Sequence, residues 1–275
     1  MHKPGAWQQI ATMLTASSTP TLDAQLLIAH VLRCSRAQVL AMDRALTARE
    51  QQALSILVAR RQAGEPLAYL LGSKDFYQAT LSVDKRVLVP RPETELLVEQ
   101  VLALPLPSTA RLIDLGTGSG AIAIALAQAR PDWSLIASDV MVEALAVAQH
   151  NIDRCQLQER IQCYHARFYA GLPAASYAAV VSNPPYIAED DPHLVELAYE
   201  PRSALASPEA GFYHLRKIIE GATSVLMPGG YIAVEHGYQQ KEGVHRLLEQ
   251  SGYRAVKTFC DISGLDRVTI AQYDR

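Results

Sequence analysis

Residues 112–126 read Leu-Ile-Asp-Leu-Gly-Thr-Gly-Ser-Gly-Ala-Ile-Ala-Ile-Ala-Leu: an apolar run, three glycines within five residues, then a second apolar run. This pattern suits a buried strand, a tight turn and a buried helix. Glycine takes positive φ at little steric cost and lets a ligand lie against bare backbone. Gly116, Thr117, Gly118, Ser119 and Gly120 are therefore a candidate ligand cradle. Their spacing is Gly-x-Gly-x-Gly. A dinucleotide fingerprint places its third glycine, or an alanine, one position later, where this chain has Ala121, so spacing alone separates no cofactor classes. No Lys-Ser or Lys-Thr follows, which excludes a P-loop.

From Arg111 onward, candidate strands at 112–115, 135–138, 161–164, 178–182, 231–235 and 267–271 alternate with helices at 120–129, 142–153, 211–226 and 240–250. Such alternation implies an α/β fold with a mainly parallel sheet covered on both faces. Ligands then bind beyond the carboxyl ends of the strands. Asp139 ends the second strand, where an acid can accept hydrogen bonds from both ribose hydroxyls of a nucleoside. Turn and acid together indicate an adenosine-type cofactor, and serve a nicotinamide dinucleotide or S-adenosylmethionine equally.

Residues 1–75 read as helices only. Residues 22–32 are apolar around most of a helix and belong at the centre of a bundle. Thr47-Ala48-Arg49-Glu50 is a capping box, and Gly64 with Pro66 supplies a stop. Residues 76–84 and 87–89 look like short strands, a hairpin between two domains. Pro92 and the acids after it then open a helix.

Composition narrows the function classes. With 49% hydrophobic and 19% charged residues the chain reads as globular. No stretch approaches the roughly 18 apolar residues of a membrane span, and the first residues lack a signal-peptide core. A cytosolic location and a monomer are expected. Cys34, Cys155, Cys163 and Cys260 form no CxxC pair, and the eight histidines form no HExxH, so no metal is expected. A net charge of -3 argues against direct nucleic-acid binding. Residues 1–75 carry eight Lys or Arg against five Asp or Glu, which suits an ordinary solvated surface, an acidic partner or RNA.

Val180-Val181-Ser182-Asn183-Pro184-Pro185-Tyr186 decides between cofactors, because it sets a polar tetrapeptide at the end of a buried strand. An amide or aromatic-amine nitrogen is a weak nucleophile, since its lone pair is delocalised. Two acceptors aimed at its hydrogens draw the lone pair out of conjugation. The Asn183 side-chain oxygen is one candidate acceptor and the Pro184 carbonyl the other. The two prolines fix the backbone, and preorganised groups of this kind are where such sites gain rate. Tyr186 can pack on a flat substrate group and favour the charge growing on nitrogen.

Asn183-Pro184-Pro185-Tyr186 resembles the signature of methyltransferases that act on amino nitrogens of nucleic-acid bases and of protein glutamine. Pro90-Arg91-Pro92-Glu93-Thr94-Glu95, Glu200-Pro201, Gly229-Gly230-Tyr231, Glu235-His236-Gly237 and Asp266-Arg267-Val268 extend the likeness. Together they make the chain similar to the release-factor glutamine methyltransferases, the HemK/PrmC family, from about residue 64 to the end. The resemblance implies a helical substrate-docking domain at 1–75, a hairpin linker at 76–90 and, at 91–275, a Rossmann-like class I methyltransferase domain with a seven-stranded mixed sheet. It implies S-adenosylmethionine as cofactor, held by Gly116 to Gly120, Asp139, Asn183 and Phe168, the last beside the adenine. It implies Asn183 and Pro184 as catalytic residues, with Pro185 and Tyr186 completing the substrate contacts. The substrate would be the glutamine of a Gly-Gly-Gln loop in a peptide-chain release factor. Arg167 stands where family members often carry an acid; an arginine cannot accept from the adenine amino group, so more of that contact falls to stacking and backbone groups. A nucleic-acid amino-methyltransferase is the alternative, and a binding-only module or a dehydrogenase are readings from other classes.

Overall fold

A computed structural model describes residues 6–174 and 176–274; the opening residues 1–5, scanned above for a leader, lie outside the described residues. The chain divides into two compact units, Met1–Ser73 and Lys74–Arg275.

The first unit comprises α1 (Ala6–Met13), α2 (Pro20–Leu32), α3 (Arg36–Leu40), α4 (Ala48–Gln62) and α5 (Leu67–Leu71). α2 packs against the other four, with Ala24, Leu27 and Ile28 in the common core. Its buried Asp23 is held by Arg61 at 2.7 Å and by the hydroxyls of Ser17 and Thr19. The capping box forms: the Glu50 amide donates to Thr47 Oγ1, and the Thr47 amide donates to Glu50 Oε2.

The second unit opens with a hairpin, β1 (Ser73–Phe76) and β2 (Ala79–Ser82). This differs from the sequence expectation, which ran one strand through 76–84 and placed a second at 87–89. Tyr77 takes φ 53 and turns the chain there. Residues 87–89 form no ladder. The Val87 amide closes a turn on Asp84 at 3.1 Å, the Val89 amide donates to the buried Glu200 carboxylate at 2.9 Å, and Pro90 has no amide to offer.

Then follow α6 (Glu93–Leu102), β3 (Arg111–Leu115), α7 (Ala121–Ala129), β4 (Ser134–Asp139), α8 (Val142–Arg154), β5 (Ile161–His165), β6 (Tyr177–Ser182), β7 (Ile187–Ala188), α9 (His193–Glu196), a 3₁₀ turn (Arg202–Ala204) and β8 (Ala206–Ser207). The chain ends with α10 (Tyr213–Ala222), β9 (Leu226–Glu235), α11 (Lys241–Gln250), β10 (Tyr253–Cys260) and β11 (Asp266–Tyr273). Seven strands form one sheet in the order β10-β11-β9-β6-β3-β4-β5. The run from β9 to β5 is parallel, and β11 and β10 add antiparallel. Side-chain alternation builds a core on each face: Leu112, Ala179, Val181 and Ala233 meet α6 and α7, whereas Ile113, Val180, Ile232 and Val234 meet α10 and α11. Strand order reverses between β3 and β6, which opens a crevice at their carboxyl ends. Helix α10 stops short of the expected residue 226, because Leu226 already pairs with Tyr177 in the sheet. Among the described residues no helix is long and apolar enough to cross a membrane.

Candidate active site

A cavity of about 380 Å³ occupies that crevice, walled by the turn after β3, by Asp139 and Met141 after β4, by Phe168 after β5, and by Asn183 after β6. The amides of Gly116 and Thr117 both donate to the Ser138 carbonyl, at 2.8 and 2.9 Å, which folds the turn over the end of β4. Gly116 and Gly118 sit at φ +75 and +56, and a Cβ on either would meet nothing within 4 Å. Both line the cavity, so a side chain there would enter it. Gly120, the last residue of the expected cradle, is not among the residues that line the cavity. It lies behind the cavity wall, with Ile124 and Ala148 at 3.4 and 3.5 Å from a Cβ position, and serves helix packing.

Beneath the turn, buried Asp114 accepts from the Thr117 hydroxyl at 2.6 Å and the Ala123 amide at 3.1 Å. Desolvation pushes its carboxyl up to about 7, against those two hydrogen bonds. Asp139 Oδ2 accepts from the Gly118 amide at 3.0 Å and Oδ1 from the Met141 amide at 2.9 Å. Burial raises this carboxyl too, and the backbone amides partly offset it. Phe168 is in the left-handed region, φ 54, and its ring stands edge-on to Tyr213 at 6.3 Å and tilted to His214 at 6.1 Å. Arg167 reaches the Tyr213 hydroxyl at 3.4 Å.

A second cavity of about 290 Å³ is lined by Tyr186, Glu235, Arg91 and Arg267 together with Asn183 and Pro184. Asn183 and Pro184 line both cavities, as do Leu88, Arg91 and Ala204, and so belong to their common wall. Pro185 faces the larger cavity and Tyr186 the smaller. The Asn183 Nδ2 donates to Thr94 Oγ1 at 2.9 Å, the Thr94 hydroxyl donates to Glu235 Oε2 at 2.7 Å, and the Tyr186 hydroxyl donates to Glu235 Oε1 at 3.2 Å. No described group donates to the Pro184 carbonyl. Both arginines of the second cavity are paired, Arg91 with buried Glu200 and Arg267 with Asp261. Thr94, Glu200 and Glu235 were visible in the sequence only as parts of a likeness. No spacing rule joins a helix start to a strand end 141 residues away.

A Rossmann-like sheet with a glycine turn, a strand-end acid and an Asn-Pro-Pro-Tyr wall at its carboxyl edge defines the class of methyltransferases. A solved methyltransferase from Pyrococcus furiosus shares the fold, with TM-score 0.54 at 18% identity over 71% of this chain and 89% of that one. A family model described as a methyltransferase small domain matches residues 92–199, and one described as the PrmC N-terminal domain matches residues 5–72. Release factor glutamine methyltransferase of Coxiella burnetii is 43% identical over 267 residues, 94% of each chain. The enzyme of that name from Escherichia coli K12 is 39% identical over 269 residues, 97% of each chain. The chain belongs to the family of release factor glutamine methyltransferases.

Proposed function

We propose that this protein transfers a methyl group from S-adenosylmethionine to the side-chain amide nitrogen (N5) of the glutamine in the Gly-Gly-Gln loop of a peptide-chain release factor. Beside family membership, one observation carries the reading: Asn183 and Pro184, with Leu88, Arg91 and Ala204, belong to the wall shared by a large cavity and a small one. The larger lies within the roughly 300–1,000 Å³ usual for ligand sites. Bare backbone at Gly116 and Gly118, the Asp139 carboxylate and the Phe168 ring suit a nucleoside there. When bound, S-adenosylmethionine supplies a methyl group on a positively charged sulfur.

Asn183 and Pro184 stand where methyl donor and amide would meet. Asn183 Oδ1 and the Pro184 carbonyl each accept one N–H of the glutamine amide, which frees the nitrogen lone pair. Tyr186 packs against the flat amide and favours the charge that develops on it. The nitrogen sheds its proton after the N–C bond forms, so no strong base is needed beforehand.

A nucleic-acid base is the competing substrate. The charges of Arg91 and Arg267 are already offset by Glu200 and Asp261, which weakens their pull on a phosphate and favours the protein reading. A loop tripeptide buries less than the roughly 1,200–2,000 Å² of a specific complex. Residues 1–75 therefore supply a second contact to the release factor. The enzyme acts as a monomer in the cytosol. The test is methyl transfer from labelled cofactor onto release factor, ribosomal RNA, tRNA and DNA in parallel. Label is expected on the release factor; robust labelling of nucleic acid with none on the protein would overturn the substrate.

A further inference from the structure

We propose that Thr94 and Glu235 are positioning residues that decide which end of the Asn183 amide faces the substrate. The inference rests on the reading above, in which Asn183 Oδ1 must accept from the reacting nitrogen. The two ends of an asparagine amide are nearly equal in size, so packing alone cannot choose between them; hydrogen bonding must. A reversed Asn183 would set its own NH₂ against the NH₂ of the substrate, donor against donor, and free no lone pair.

The choice is made by a chain of three side chains from three elements: Asn183 after β6, Thr94 in α6 and Glu235 at the end of β9. Thr94 and Glu235 are buried, at 4% and 1% exposure, so water does not scramble the pattern. An ionised carboxylate only accepts, and a threonine has a single hydroxyl proton. Glu235 Oε2 takes that proton's hydrogen bond at 2.7 Å, and Thr94 is left with lone pairs alone. Only the NH₂ end of Asn183 can bind them, as it does at 2.9 Å. Oδ1 is thereby assigned to the wall between the two cavities. The Tyr186 hydroxyl, donating to the other oxygen of Glu235 at 3.2 Å, holds the carboxylate as a double acceptor.

The chain has a titratable end. The groups facing Glu235 are Glu93 and Thr94 from α6, Arg91 before it, Tyr186 from the loop after β6, and Arg267 from β11. Desolvation pushes the Glu235 carboxyl up to about 7, while Thr94, Arg267 and Tyr186 pull it down and Glu93 adds to the rise. Once protonated, Glu235 carries its own O–H and can donate to Thr94. The Thr94 proton is then released toward Asn183 and the amide can reverse. Turnover should therefore fall as pH drops through about 7.

The experiment measures kcat and KM on intact release factor, cofactor affinity by calorimetry and melting temperature, for wild type, Thr94→Val, Thr94→Ser, Glu235→Gln, Asn183→Ala and the Thr94→Val/Asn183→Ala double variant. Thr94→Val and Glu235→Gln should each lower kcat by roughly 10- to 100-fold, up to the scale of losing one preorganised acceptor, with cofactor affinity within about threefold. Thr94→Ser should restore most of the turnover. Thr94→Val should cost nothing further once Asn183 is alanine, because coupled residues are not additive. The acidic limb of kcat near pH 7 should vanish in Asn183→Ala. Near-normal kcat in Thr94→Val, or multiplied losses in the double variant, would overturn the positioning role while leaving the functional reading intact. Absence of turnover in wild type would overturn both. If Glu235→Gln does not fold, the Thr94 variants decide alone.

Discussion

Replacing Asp139 with alanine should weaken S-adenosylmethionine binding by about 1.5–3 kcal/mol, the scale of charge-assisted hydrogen bonds, or about 10- to 150-fold in Kd. The magnitude follows from counting acceptors. An ionised carboxylate offers about four lone-pair sites. The amides of Gly118 and Met141 take one each, at 3.0 and 2.9 Å. The remaining acceptor capacity lies on a residue that lines the larger cavity, and a ribose presents two vicinal hydroxyls. Part of any loss could come from the turn itself, since Gly118 would lose its acceptor. An analogue with a 2′,3′-dideoxyribose separates the two contributions. Calorimetry should show wild type binding the analogue weakly and the alanine variant adding little further penalty. Because burial raises the Asp139 carboxyl, affinity for the natural cofactor should also fall as pH is lowered and the acceptor is protonated. Unchanged affinity in the alanine variant would remove Asp139 from the ribose site. An equal penalty with cofactor and dideoxy analogue would assign its effect to the turn.

Gly118→Ala should cost about 1–2 kcal/mol of backbone strain at φ +56. Melting should fall by roughly 2–4 °C per kcal/mol in a domain of this size, and cofactor affinity should drop further because the methyl enters the cavity; a thermal melt read beside calorimetry tests both. Gly120→Ala should lower melting through backbone strain at φ +83, since a methyl there meets Ile124 and Ala148 only at ordinary contact distance, and change affinity far less. Deleting residues 1–72, which spares the β1–β2 hairpin, should preserve cofactor binding yet raise KM for intact release factor far more than for a Gly-Gly-Gln peptide. Equal losses on both substrates, with the remaining protein folded by circular dichroism, would refute the docking role.

The elements legible in the sequence are those whose signals are local. The run at 112–126, the capping box at 47–50 and the apolar strands of the parallel sheet needed no tertiary information. β10 was not foreseen, because it is an edge strand of mixed polarity. Ala255 takes φ 51 and the register slips between Arg254 and Lys257, which breaks the alternation that marks a strand. The expected strand at 87–89 is as apolar as any other, but its amides go to Asp84 and Glu200, a contact no pattern at that spacing reveals. The site divides in the same way. Gly116, Gly118, Asp139 and Asn183 lie at strand ends, where parallel topology gathers them regardless of what lies between. The second cavity draws on Arg91, Glu235 and Arg267, whose meeting depends on how α6, β9 and β11 pack.

The proposal that Asn183 activates a glutamine amide is tested most directly by locating the methyl group. Release factor incubated with the protein and isotopically labelled S-adenosylmethionine would be digested and mapped by tandem mass spectrometry, for wild type and Asn183→Ala side by side. A single methyl on the amide nitrogen of the Gly-Gly-Gln glutamine is expected. In the alanine variant turnover should be lower by about 10² or more, as on losing one preorganised polar group, while cofactor affinity is retained. A methyl on any other atom, or near-normal turnover without the Asn183 side chain on saturating substrate, would contradict it.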